Sequence, residues 1–256
     1  MHRLLILFTT AVLAVGCMPA AAQQAVLLDN KKLQAAWEQK ITPAAAAELL
    51  NKFFDSTAIP PGLASDIEFL RHKFSRRTRY QQGGWTQILY REFNALARYA
   101  ALLQMRSELP QVPLLLVGSA SGDIPPSDCI PLKNISTFPE WKAVRGTVFQ
   151  AIIAALPGEY CKGLSYNFSK LTAAGGRHYP GRIDYHSLRY QFSDGKWHCR
   201  KELVGNPGYL NDGPQFYLLE ISLGKNMPRG IYYGTVKITT RIPGSTSELN
   251  YKLKVN

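Results

Sequence analysis

Apolar residues recur with the period of an amphipathic helix through the first half of the chain. The clearest case begins near Trp85 and extends to about Glu108. Over this stretch the spacing of three and four residues places one apolar stripe along a predicted long helix. The stripe consists of Trp85, Leu89, Phe93, Leu96, Ala100 and Leu103.

Two shorter helices are predicted before this one. Thr42 is a typical N-cap and Pro43 suits the first helical position, so a helix should follow through AAAAELLNKFF. Ser65 is the expected N-cap of the next helix, in which Ile67 and Phe74 lie on the apolar stripe.

The period of the pattern changes to two from about Tyr185 onward. The turn from Ser193 to Lys196 contains Asp-Gly between two alternating runs, which predicts a β-hairpin. Its register pairs Tyr190 with Cys199 and puts both on the core side, while His198 faces solvent. Three further strands are predicted over 215–223, 231–242 and 248–255, typical of an antiparallel sheet.

The middle of the chain is less regular. The apolar run 112–117 predicts a buried strand, and a proline-rich irregular stretch follows it. Helical spacing returns over 143–156 and predicts a short helix. The fold class is therefore α+β: a helical region (23–110), a mixed, loop-rich region (111–180) and an antiparallel β region (181–256). The helices should pack with the sheet or with a small β-sandwich.

An apolar run from Leu4 to Val15 follows Arg3 and is typical of a signal peptide. Two processing routes stay open. Cleavage after Ala22 makes residues 1–22 the signal peptide, whereas the sequence AVGC ending at Cys17 resembles a bacterial lipobox. Either route exports the chain, as a periplasmic or secreted protein or as one lipid-anchored through Cys17. No transmembrane span is predicted in the mature chain.

Composition narrows the class of function. Hydrophobic residues make up 46% of the chain, which excludes an intrinsically disordered protein. The formal net charge of +12 favours an acidic partner, whether an envelope polymer, an anionic lipid, a nucleic acid or an acidic protein. The sequence leaves the oligomeric state open.

Cysteine is the residue type whose role depends most on export. Disulfides are permitted outside the cytoplasm, and we expect Cys161 to pair with Cys199 because both lie in or beside the β-rich part. Pairing of Cys129 with Cys161 is the alternative. The spacings match neither a structural zinc site nor a redox motif, so no metal or cofactor is predicted.

The densest basic cluster lies in the second half of the second predicted short helix and just beyond its end, and basic residues of the long helix extend it. Aromatic Phe74 and Tyr80 are interleaved with these cations, a pattern that suits phosphate-bearing or other anionic polymers. The alternative is an ordinary solvated helix face. The candidate binding residues are Arg71, Lys73, Arg76, Arg77, Arg79, Arg91 and Arg98.

A candidate catalytic trio lies at the start of the first hairpin strand. Asp184 and His186 are two residues apart and project to one face of a strand, so the carboxylate can orient the imidazole as a general base. Arg182 continues the same side and suits an anionic substrate group. The alternative is a hydrogen-bonded polar end of a buried strand.

The stretch 228–236 has the form Pro-x-Gly-x-Tyr-x-Gly-x-Val. It resembles the last strands of bacterial pilin-type and other exported β-sandwich domains over these nine residues. The glycines are equally suited to the close approach of neighbouring strands.

Two hypotheses for function follow. The first is a non-catalytic binding or assembly factor of the bacterial envelope or cell surface, which contacts an acidic partner through the basic cluster. It rests on the signal, the charge and the incomplete catalytic group. The alternative is a secreted hydrolase acting on phosphodiesters or glycans with His186 and Asp184, so the sequence does not decide whether the protein is an enzyme.

Overall fold

The computed structural model describes residues 28–80, 83–120, 130–179, 181–194, 196–203, 209–210 and 213–256. The predicted signal peptide, Cys17 and Cys129 lie outside this part of the chain. The helices are α1 (Asn30–Trp37), α2 (Pro43–Asp55), α3 (Pro61–Tyr80) and α4 (Gln87–Arg106). None of these helices is long and apolar enough to cross a membrane.

Side-chain caps mark where α1, α2 and α4 begin, whereas α3 begins at Pro61, so the predicted N-cap Ser65 lies inside that helix. The Thr42 side chain accepts a hydrogen bond from the backbone N–H of Ala45, as expected for the N-cap of α2. Thr86 caps α4 in the same way. The apolar stripe of α4 from Leu89 to Leu103 is buried, which confirms the predicted long helix. Helix α1 was not predicted, although Asp29 caps it and Trp37 at its end is fully buried.

The strands form two sheets within the described residues. A five-stranded sheet has the order β1-β3-β9-β6-β7 and a six-stranded sheet the order β2-β11-β10-β4-β8, with β5 paired to β10. All pairs are antiparallel except β2 with β11. The strand bounds are β1 (Leu114–Ala120), β2 (Glu140–Ala143), β3 (Val148–Pro157), β4 (Cys161–Phe168), β5 (Thr172–Ala173), β6 (Ile183–Ser193), β7 (Lys196–Leu203), β8 (Tyr209–Leu210), β9 (Gln215–Ser222), β10 (Gly230–Ile242) and β11 (Thr246–Val255).

The predicted hairpin is strands β6 and β7, and its register is confirmed. Ser193 lies opposite Lys196, and Tyr190 lies opposite Cys199. Asp194 takes a φ of 51°, which an Asp in this type of turn tolerates. Cys199 departs from the prediction, because it is exposed and not part of the core.

The short helix predicted over 143–156 is wrong, since most of this stretch is strand β3. Ile152, Ala154 and Leu156 belong to one apolar core, whereas Ala151 and Ile153 belong to another. A strand buried on both faces carries no alternation of apolar and polar residues, so its sequence cannot be told from that of a buried helix.

The two apolar cores define three layers. The helices pack on one face of the five-stranded sheet, around residues such as Phe93, Val117 and Leu218. The opposite face of that sheet packs on the six-stranded sheet, where Tyr217 and Tyr251 are buried. The α+β class is therefore confirmed. Gly234 is required where β10 meets the Tyr251 ring, because a Cβ there would lie 2.2 Å from the ring carbon Cζ.

Candidate functional site

The predicted catalytic trio lies at the polar end of the five-stranded sheet, on the face that carries the helices. Arg182 Nε donates a hydrogen bond to Asp184 Oδ1 at 2.8 Å. His186 Nε2 lies 3.0 Å from Glu220 Oε2. The expectation that Asp184 orients His186 is therefore corrected: Asp184 is held by Arg182, and Glu220 on the neighbouring strand is the carboxylate of His186.

Glu220 is the centre of this polar group. Lys201 Nζ donates to Glu220 Oε1 at 3.0 Å, and the Gln150 amide donates to the same oxygen. Burial acts to raise the pKa of Glu220, but these hydrogen bonds and the charges of Lys201 and His186 outweigh it, so its pKa lies below the ordinary value. The carboxylate is thus satisfied by structural partners. Sequence reasoning missed Glu220, although it is the single acid in the apolar run QFYLLEISL.

The part of the chain that the structure describes contains no candidate metal site. No group of three or more His, Cys, Asp or Glu side chains is placed there to hold an ion. His198, exposed on β7, lies opposite Gln191, whereas His186 lies opposite Leu203 and on the helix-bearing face. The imidazoles of the hairpin therefore point to opposite faces of the sheet.

The expected Cys161–Cys199 disulfide is not formed. Cys161 begins β4 in the six-stranded sheet and is fully buried, whereas Cys199 lies exposed in the edge strand β7 of the other sheet. Burial raises the pKa of the Cys161 thiol to about 11, which makes it a poor nucleophile at neutral pH. The alternative partner, Cys129, lies outside the described residues.

The basic cluster divides into parts with different partners. Arg71 is bound by Asp55 and Glu68, so its charge is neutralised within the protein. Arg79 lies on the other side of α3, where it lines a groove against α2. Arg91 is exposed on α4. Arg98 lies close to the backbone of Gly213, away from the rest of the cluster.

The remaining cations of α3 line a groove of about 550 Å³. We name it the basic groove, and its lining residues are Phe69, His72, Lys73, Arg76, Arg77 and Tyr80. Every one of them is basic or aromatic. Phe74, named from the sequence as an interleaved aromatic, is instead buried in the core beneath this surface.

Two ion pairs hold the floor of the basic groove. Arg77 Nε lies 2.9 Å from Glu92 Oε1 of α4, and Lys73 Nζ lies 3.4 Å from the same oxygen. The Glu92 side chain is buried, so the pairs join α3 to α4. Two cations share one carboxylate, which leaves the groove with excess positive charge.

Two exposed aromatic rings flank these cations. Phe69 is 66% exposed and Tyr80 is 78% exposed. Lys73 Nζ lies 5.7 Å from the centre of the Phe69 ring, and the Arg76 guanidinium lies 6.0 Å from that of Tyr80. Phe69 was not among the predicted binding residues. Its signal was present in the sequence, because it falls outside the apolar stripe formed by Ile67, Leu70 and Phe74.

No family model and no curated protein matches this chain. Among solved structures, a family 123 glycoside hydrolase from Clostridium perfringens is similar over 56% of this chain, with 14% identity and a TM-score of 0.38. The chain spans only 27% of that enzyme's length. The Myf fimbrial subunit MyfA from Yersinia enterocolitica, in complex with galactose, is similar over 46% of this chain and 91% of its own, with 10% identity and a TM-score of 0.29. The CooA pilin subunit from enterotoxigenic Escherichia coli covers 57% of this chain and 98% of its own, with 12% identity and a TM-score of 0.27. Likenesses at these scores support no argument about function.

Proposed function

We propose that the protein is a non-catalytic binding protein of the bacterial envelope or cell surface, and that its basic groove holds an acidic polymer. The observation that carries this proposal is the lining of the groove. All six lining residues are basic or aromatic, and no carboxylate is among them. Cations attract the charges of a polyanion, and exposed rings stack on its sugar or base rings.

The positive charges of the basic groove can contact several anionic groups of an extended ligand. Lys73 and Arg77 together retain one unit of positive charge after pairing with Glu92. Arg76 adds another unit, since it contacts a ring and has no ion pair among the described residues. The net charge of +12 on the whole chain adds a long-range attraction that speeds the encounter with a polyanion.

The exposed rings supply the contact area that charge alone lacks. Phe69 and Tyr80 lie at the two ends of the six-residue lining, with the cations between them. Large apolar rings in water are costly unless a partner covers them. Each ring lies beside a cation, and this contact favours the ring's position before a ligand arrives.

The proposed location in the envelope depends on the predicted signal peptide, which lies outside the described residues. The alternative hypothesis, a secreted hydrolase, would now use His186 with Glu220 in place of Asp184. The saturated hydrogen bonding of Glu220 favours a structural role for that pair.

Retention of the purified protein on a heparin column, a generic polyanion, tests the proposal. The variant Arg76→Glu should bind about tenfold more weakly at 0.1 M NaCl, because it replaces a cation that attracts the polyanion with an anion that repels it. Arg200→Glu on strand β7 is the matched control, and its binding should change less than twofold. Equal losses in both variants would refute the basic groove as the binding surface.

A second variant separates the aromatic contribution from the charge. Phe69→Ala with Tyr80→Ala removes both rings and leaves every cation in place. We expect binding to a short single-stranded or saccharide polyanion to weaken severalfold while the salt dependence stays unchanged. Unchanged affinity would show that the rings do not contact the ligand.

A further inference from the structure

A second cavity, none of whose lining residues belongs to α3, opens between two loops at one end of the six-stranded sheet. Its volume is about 670 Å³, within the range of small-molecule sites. One loop joins β5 to β6 and contributes Arg177 and Tyr179. The other joins β9 to β10 and contributes Lys225, Met227 and Arg229. We name this cavity the cationic pocket.

Hydrogen bonds between and within the loops fix its wall. The Tyr179 hydroxyl accepts a hydrogen bond from the backbone N–H of Gly224 at 2.6 Å, which ties the two loops together. The Tyr232 hydroxyl donates to the carbonyl oxygen of Pro228 at 2.8 Å. The two tyrosine rings meet edge to face with their centres 6.2 Å apart. The wall is therefore formed before any ligand binds, which lowers the entropy cost of binding.

Three cations surround this wall. Arg177, Lys225 and Arg229 are exposed, and none of them has an ion pair with another described residue. The sequence explains why. The stretches 171–183 and 221–247, which supply both loops, contain no Asp or Glu. The neighbouring charges therefore add to one another and are not cancelled.

The pocket also offers apolar surface. Ala173, Ala174 and Ile231 line it beside the tyrosine rings. A ligand that uses all of the lining needs anionic groups at its edge and a body with a carbon face, such as a sugar ring. A neutral sugar would leave the three cations unused, and inorganic phosphate would leave the apolar wall exposed to water.

We propose that the cationic pocket binds a short acidic saccharide whose anionic groups, carboxylate or phosphate, contact Arg177, Lys225 and Arg229. The site is separate from the basic groove, because it is built on different elements, so neither binding site depends on the other. Arginine and lysine suit both kinds of anion, and arginine can bind either one through two hydrogen bonds.

Calorimetric titration of the purified protein tests this site. The probes are trigalacturonic acid, which carries carboxylates, glucose 1,6-bisphosphate, which carries phosphates, and the neutral maltotriose. We expect one or both acidic probes to bind at micromolar to low millimolar concentration and maltotriose not to bind. The acidic probe that binds more tightly identifies the anionic group. Binding of neither acidic probe, or equal binding of maltotriose, would overturn the proposal.

Variants assign the binding to this pocket. The triple variant Arg177→Ala, Lys225→Ala, Arg229→Ala should lower the affinity for the acidic probe at least tenfold. The matched control Lys196→Ala, Arg200→Ala, Arg241→Ala removes the same number of positive charges outside the cationic pocket. Its affinity for the acidic probe should change less than twofold. Equal weakening in both would refute the site. Ile231→Glu introduces a carboxylate into the lining without removing a cation, and it should also abolish binding. Retained binding in Ile231→Glu would count against the pocket even if the triple variant does not fold.

Discussion

Arg106, the last residue of α4, is 2% exposed and connects the helices to the five-stranded sheet. Its Nη1 donates to the carbonyl oxygen of Leu156 at 2.6 Å, and its Nη2 donates to that of Val112 at 2.7 Å. Among the described residues no carboxylate pairs with it, and burial lowers its pKa. We predict that Arg106→Met destabilises the protein, although the change removes a buried charge.

The magnitude follows from the two short bonds. A hydrogen bond from a charged group contributes about 1.5–3 kcal/mol, so the pair contributes about 3–6 kcal/mol before offsets. Met fills a similar volume and relieves the cost of burying a charge, which returns part of that sum. It also leaves the buried carbonyl oxygen of Leu156 and the partly buried carbonyl oxygen of Val112 without these donors. We therefore expect the free energy of unfolding to fall by about 3 kcal/mol.

Urea denaturation followed by circular dichroism measures this change. The control is Arg200→Met on the exposed edge strand, which should alter the free energy of unfolding by no more than about 0.5 kcal/mol. The slope of the unfolding free energy against urea concentration should stay constant in both variants. An Arg106→Met protein within about 1 kcal/mol of the unmodified chain would refute the view that the guanidinium stabilises this junction.

Two further predictions concern Tyr185 and Glu220. The Tyr185 hydroxyl is buried between the sheets without a hydrogen-bond partner among the described residues, and burial raises its pKa well above the ordinary value. Tyr185→Phe should therefore leave the thermal midpoint unchanged or raise it, and a fall equivalent to more than about 1 kcal/mol would reveal a partner for the hydroxyl. The pKa of Glu220 is lowered in the folded state, so its contribution to stability is present above the ordinary Glu pKa and is lost as the pH falls through the folded value. Glu220→Gln should accordingly be less stable than the unmodified protein at pH 7, with the difference shrinking below about pH 4, and a difference independent of pH would contradict this assignment.

Local rules predicted the elements whose signals are complete within a short stretch. The α4 stripe needed only the helical period, and the β6–β7 register needed only the Asp-Gly turn and the count of residues on either side. Strand β3 could not be recognised, because both of its faces are buried and the helical spacing of its apolar residues is incidental. Helix α1 has only eight residues, too few for a periodic signal.

Contacts between site residues that are far apart in the sequence could not be predicted from local patterns. The pairing of His186 with Glu220 depends on β6 lying next to β9, and no turn connects these strands. The cationic pocket likewise depends on two loops that are 45 residues apart at the Tyr179–Gly224 hydrogen bond. The basic residues of α3 could be listed from the sequence, but their division among Glu92, Asp55 and solvent required the packing of α3 against its neighbours.

The position of strand β3 between the two cores determines how the protein unfolds. Its alternate side chains belong to two different cores, so it is a common wall between the helices and the second sheet. Loosening of either outer layer would expose to water the face carrying Ile152 and Leu156 or the face carrying Ile153. The outer layers are therefore expected to melt together in one transition, and a fragment without the helices would present a bare apolar sheet face prone to self-association.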